Sequence, residues 1–131
     1  MANYYGSGRT NYFEVKDLEA FVAEVDTIPN IEAYGEGNRF CLLSNSEDGF
    51  VWSRYDEETD EDIEVDWADI FTRHLADGSV AIIMEVGNEK LRYLSGVAVA
   101  YNNKGESRDI SLENIYTLAE ELGENITRAT Y

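Results

Sequence analysis

The apolar positions divide the chain into short strands and three helices. Residues 11–15 (NYFEV) alternate with a period of two and predict a strand. Leu18, Phe21, Val22, Val25 and Ile28 then recur at helical spacing. They predict a helix that Asp17 caps and Pro29 ends. Residues 31–34 and 39–44 flank Gly35-Glu36-Gly37-Asn38 and read as a hairpin with a four-residue loop. Residues 44–49 form a turn, and residues 50–55 (FVWSRY) a strand. Further on, Ile63, Val65 and Trp67 alternate with Asp62, Glu64 and Asp66, as on a strand with one apolar and one carboxylate face. From Trp67 the spacing becomes helical through Ile70, Phe71, His74 and Leu75, with Asp66 as N-cap and Gly78 as the stop.

The last third is the most regular. Residues 79–86 are apolar enough for a central strand, residues 87–90 form a turn, and residues 91–101 a long strand in which Gly96 suggests a bulge. A turn at 102–105 leads to a short return strand at 106–110. Ser111 caps a last helix. Its buried side would be Leu112, Ile115, Tyr116, Leu118, Ala119 and Leu122, and Gly123 its end. Residues 1–10 read as a flexible arm and residues 124–131 as a loose tail. This order predicts one α+β domain over residues 1–131, a mainly antiparallel sheet of about six to seven strands with three helices packed on it.

Charge changes this picture at one place. The chain has 27 acids against 10 Lys and Arg, a net charge of −17. Nine of those acids fall within residues 56–69 (DEETDEDIEVDWAD), which contain no basic residue. Side-by-side carboxylates repel in any regular structure, so residues 56–60 read as a loop, and residues 56–66 as an acidic segment. A field this negative repels nucleic acid and anionic membrane and attracts basic proteins. Tyr55, at the edge of the run, adds an aromatic anchor of the kind enriched at interfaces.

Candidate chemistry is sparse. The single cysteine, Cys41, excludes an internal disulfide and sits in an apolar strand, where a buried inert thiol is the usual outcome. The single histidine, His74, stands near a helix C-terminus, where its side chain suits the dipole. No nucleophile–base motif, phosphate loop or zinc motif is present, and no catalytic residue, cofactor or metal is assigned. An EF-hand loop started at Asp56 puts Glu61 where glycine is needed and Trp67 where glutamate is needed. No apolar run approaches the roughly 20 residues of a membrane span.

What remains is a binding surface made of Tyr55, Asp56, Glu57, Glu58, Asp60, Glu61, Asp62, Glu64, Asp66 and Asp69. Alternate carboxylates on a strand stand about 6.6–6.8 Å apart, about twice the ~3.4 Å spacing of phosphates along a DNA strand. With loop and helix acids filling in, such a surface could occupy a Lys/Arg-lined groove meant for nucleic acid. The expected partner is therefore a basic nucleic-acid-binding protein, not nucleic acid itself and not a membrane. Free sheet edges, such as that at residues 106–110, leave room for a homodimer. The alternatives are an immunity or antitoxin-like protein that masks a basic toxin, and an enzyme with an unrecognised carboxylate site.

Two segments, NYFEVKDLEAF at residues 11–21 and HLADGSVAIIMEVGNEKLRYLSGVAVA at residues 74–100, resemble small acidic proteins of conjugative plasmids and phage-derived elements. Such genes often lie among anti-restriction and anti-CRISPR genes. The resemblance implies an inhibitor acting in the bacterial cytoplasm on a subunit of a CRISPR effector or restriction complex. It rests on strands, a helix and turns, so it assigns no functional residue.

Overall fold

The computed structural model describes residues 3–129. In chain order the elements are β1 (Tyr4–Thr10), β2 (Phe13–Glu14), α1 (Leu18–Val25), β3 (Ile31–Glu36), β4 (Arg39–Ser44), β5 (Ser53–Asp56), β6 (Glu61–Glu64), α2 (Trp67–His74), β7 (Ala81–Glu89), β8 (Tyr93–Tyr101), β9 (Ser107–Ser111) and α3 (Asn114–Ala119). Seven strands form one antiparallel sheet, so the protein is α+β with three helices, as its pattern predicts. β4 pairs with β3 on one side and with both β2 and β1 on the other; β7, β8 and β9 follow beyond β1. β5 and β6 form a separate two-stranded ribbon.

The residues read as an arm are a central strand. β1 pairs with β7 along its whole length, from Tyr4 opposite Glu89 to Thr10 opposite Ile83. Its small residues mask it in the sequence and are also what it needs. A Cβ on Gly8 would stand 2.8 Å from the backbone nitrogen of Phe50, which crosses over the strand there. Met1 and Ala2 of that segment, and Thr130 and Tyr131 of the tail, lie outside the described residues. Asn11 bridges the jog between β1 and β2. Its backbone N–H donates to the Ile82 carbonyl (3.1 Å), its amide nitrogen donates to the Val80 carbonyl (3.0 Å), and its amide oxygen accepts from the Ile82 N–H (2.8 Å).

Two turns and one helix end differ from expectation. The β3–β4 pairing runs on to Glu36 opposite Arg39, leaving a two-residue turn with Gly37 at φ 66°. The β7–β8 register is unbroken from Ala81↔Tyr101 to Glu89↔Tyr93, so Gly96 makes no bulge and the turn shrinks to residues 90–92. α2 ends at His74, before Gly78, because Leu75 leaves the helix for a bridge with Val15.

One face of the sheet carries the core. α1 brings Phe21 and Val25 onto it, with Asp17 accepting from the Ala20 N–H at the N-cap (3.2 Å). α2 adds Trp67, Ile70 and Phe71. Phe13 stands edge-on to Phe21 and to Phe71, at 5.6 and 5.4 Å between ring centres, and Trp67 stacks on Phe71 at 5.7 Å.

α3 is different. None of its residues is buried, and Leu112, Ile115, Leu118 and Leu122, expected to pack inward, are exposed. It follows β9, the last strand of the sheet, and among the described residues no helix or strand layer buries it. Residues 124–129 have no regular structure, but they are not loose. The Ala129 N–H donates to the Tyr116 hydroxyl (2.7 Å), and Arg128 lies over the Tyr116 ring and pairs with Glu113.

Phe71 touches Phe13, Trp67 and Tyr101 and is fully buried, so Phe71→Ala should destabilise the protein by about 3–5 kcal/mol. Urea unfolding followed by tryptophan fluorescence measures it.

Candidate functional site: an acidic hairpin

The acidic segment is a hairpin clamped to the core at its base. Before it, Val51 is buried and its carbonyl accepts from the indole N–H of Trp67 (2.8 Å). After it, Val65 is buried and its N–H donates to the Trp52 carbonyl (2.8 Å). Arg54 donates to the Thr27 carbonyl beyond the end of α1 (3.1 Å). The ribbon pairs Ser53 with Glu64, Arg54 with Ile63, Tyr55 with Asp62 and Asp56 with Glu61. Residues 57–60 turn at its tip, with Asp60 at φ 56°.

The turn engages two carboxylates. Asp56 accepts from the Glu58 N–H (3.0 Å) and from the Thr59 hydroxyl (3.2 Å), a side-chain-closed turn. The Tyr55 hydroxyl donates to Asp60, and that carboxylate, with Asp62 close by, raises the Tyr55 phenol above its ordinary pKa. Glu57, Glu58, Asp60, Glu61, Asp62 and Glu64 are all exposed. Among the described residues, no ion pair joins any of them to a lysine or arginine.

Carboxylates stand on both sides of the ribbon. Asp62 and Glu64 share a side with Tyr55 and Ser53, whereas Glu61 lies on the Ile63 side, directly across from Asp56. The clean division into a carboxylate face and an apolar face therefore stops at the last turn of the ribbon. Two acids facing each other in one register pair weaken the hairpin that carries them.

Asp66 and Asp69, also exposed, lie beyond the ribbon at the start of α2 and are engaged there. Asp66 caps α2 by accepting from the Asp69 N–H (3.0 Å), and Asp69 is neutralised by Arg73 one turn on (2.9 Å). The tertiary structure thus gathers Tyr55, Asp56, Glu57, Glu58, Asp60, Glu61, Asp62 and Glu64 into one projection and sets two of the ten candidates aside on a helix. No family model, curated protein or solved structure matches the chain. Among the described residues, no three His, Cys, Asp or Glu side chains converge as metal ligands, and no helix is long and apolar enough to cross a membrane.

A second charged cluster escapes the sequence pattern. Glu24 on α1 receives Arg73 in a two-pronged pair (2.6 and 2.7 Å) and lies 2.6 Å from His74 Nε2. His74 thus ends its helix as expected, but held by a partner fifty residues away. The hydrogen bonds from Arg73 outweigh partial burial and, with His74, hold the Glu24 carboxyl down at about 2 against an ordinary 4.5. Only the adjacency of Glu24 to the buried stripe of α1 hinted at a role.

Because the folded-state pKa is lowered, Glu24 contributes stability that is complete above about pH 4.5 and is lost as the pH falls through about 2. Glu24→Gln should therefore be less stable than the parent at pH 7, with the gap closing steadily below pH 4.5. Urea midpoints across that range measure it, and a gap independent of pH would exclude the linkage.

Proposed function

We propose that the protein is a non-enzymatic inhibitor from a mobile genetic element that binds a bacterial defence complex in the host cytoplasm. The acidic hairpin stands in for nucleic acid and blocks a basic nucleic-acid-binding site, in the manner of anti-CRISPR and anti-restriction proteins. The observation that carries this reading is the projecting hairpin with six exposed carboxylates that no lysine or arginine of the chain pairs with, among the described residues. A protein selected only for solubility gains nothing by concentrating its charge on one ribbon, where Asp56 and Glu61 oppose each other. Concentrated charge instead matches a groove lined with Lys and Arg and steers the encounter with it.

The reaction proposed is competition, not chemistry. The hairpin enters a channel that would hold a phosphate backbone, and Tyr55 lies against the wall of the channel at its edge. The clamp at Val51 and Trp67 presents the carboxylates without a large ordering cost on binding.

Two outcomes test this. Binding to a purified CRISPR effector or restriction complex should weaken on the order of tenfold or more between about 50 and 300 mM salt. The combined variant Asp60→Asn, Glu61→Gln, Asp62→Asn and Glu64→Gln should lose inhibition while keeping an unfolding midpoint at or above the parent value, since it relieves repulsion in the hairpin. Full inhibition by that variant, measured as target-DNA binding by the complex, would exclude the charge mechanism. Loss of binding to a co-encoded basic toxin instead would favour an immunity protein.

A further inference from the structure

The sheet has a second face, and its character is the reverse of the hairpin's. The strand registers set Met84, Ala98 and Ile110 in one row across β7, β8 and β9, and Val86 and Gly96 in the next. Leu112 extends that second row, its N–H donating to the Gly96 carbonyl (3.0 Å). Side chains opposite one another point to the same side, so these rows form one apolar surface, turned away from α1 and α2. Val86 is 63% exposed, and Leu94 and Ile110 are each 67% exposed. Where β8 and β9 meet α3, a groove of about 650 Å³ continues this surface past Leu94, Ile110 and Leu112 to Ile115 and Leu118.

The placement of charge is equally one-sided. The acids of β7 and β9 are Glu85, Glu89 and Asp109, and the register puts all three on the opposite side from Met84 and Ile110. β1 and β8 contain no acid. The charged residues on the apolar side of these four strands are Arg9 and Arg108. In a chain with 27 acids and a net charge of −17, this is a sheet surface to which β1, β7, β8 and β9 contribute no acid.

The surface area indicates an occupant. The large apolar side chains of this face and of α3 expose on the order of 700 Å², near the ~800 Å² that each partner contributes to a standard interface and above what monomers usually leave uncovered.

We infer that this face binds a second copy of the chain, back to back, in a twofold dimer. The ridges formed by Met84 and Val86 and by Ile110 and Leu112 flank β8, where Leu112 and Val86 close over Gly96 (3.2 and 3.7 Å from where a Cβ would stand) and Ala98 and Ala100 form a strip of small residues. A ridge of one copy lies over the small-residue strip of the other, as when sheets stack about 10 Å apart. Both acidic hairpins, anchored to the opposite face through Trp67 and through Trp52, which donates to Glu85 (3.0 Å), then point outward in opposite directions. The dimer does not rest on the proposed function, and its salt dependence has the opposite sign. Salt screens the repulsion between two chains of −17 and strengthens self-association, but weakens docking of the hairpin.

Sedimentation velocity on the full chain at micromolar concentration tests it. A particle of twice 14.8 kDa is expected, with a larger dimer fraction at higher salt. Ile110→Glu and, independently, Val86→Lys should each restore the monomer mass with an unchanged circular dichroism spectrum. A twofold interface meets each new charge twice, so a rise in the dimer dissociation constant of at least about a hundredfold is expected. The hairpin-neutralised variant should remain a dimer. A parent chain that sediments as a monomer at every concentration overturns the inference. So does a dimer that survives both face substitutions. A monomer that instead captures another protein through Ile110 would assign the face to a heterologous partner and equally overturn it.

Discussion

The clamp on which the molecule depends is the burial of Trp67. Its indole N–H is held by the Val51 carbonyl, its ring stacks on Phe71, and it lies against Phe50. Val51 precedes β5 and Trp67 follows β6, so one hydrogen bond and one aromatic cluster fix both ends of the acidic segment. With its ends pinned on the core, a run of side chains that cannot be buried has one direction left, outward. Phe71 carries the same constraint on to Phe13, and so to the sheet. The apolar cluster thus sets the position of the charge, although it contains none.

A second node ties the hairpin base to the sheet. Glu85 on β7 accepts from the Tyr4 hydroxyl (2.9 Å), the Phe50 N–H (2.5 Å) and the Trp52 indole (3.0 Å). This is a use of a carboxylate unlike that in the hairpin. Glu85 is partly shielded, is satisfied by three donors and orders the chain around it, whereas Glu57 to Glu64 stand in water without cationic partners among the described residues. Glu24 and Asp69 represent a third use, in which Arg73 neutralises them and, with the contact of His74 to Glu24, joins α1 to α2. Of the hairpin acids, Asp56 and Asp60 help shape its turn.

The two faces of the sheet divide the labour. The inner one takes α1, α2 and the hairpin base; the outer one, over β7 to β9, is left apolar and free of acid. An antiparallel sheet tolerates a solvated face when that face is polar. This one is not, and the helix that follows it, α3, buries none of its residues. The absence of a second layer among the described residues is the physical link between α3 and the outer sheet face.

Much of the fold was legible in local pattern. Periodicity located α1 and α2 with their Asp17 and Asp66 caps and the strands of the last third, because each of these depends on residues within a few positions of one another. The composition of residues 56–69 alone set aside a charged, solvent-facing segment, since no local structure could bury so many carboxylates. Tertiary structure decided the rest. β1 is a strand because β7 and Phe50 lie alongside it, not because Gly6, Ser7 and Gly8 favour extended backbone. Asp69 was engaged when Arg73 reached it, and Glu24 gained its role from a helix fifty residues on. The stripe on α3 reads as buried by its spacing, yet spacing records only that a side is apolar. Whether another layer arrives to cover it is settled by long-range packing, and among the described residues none does.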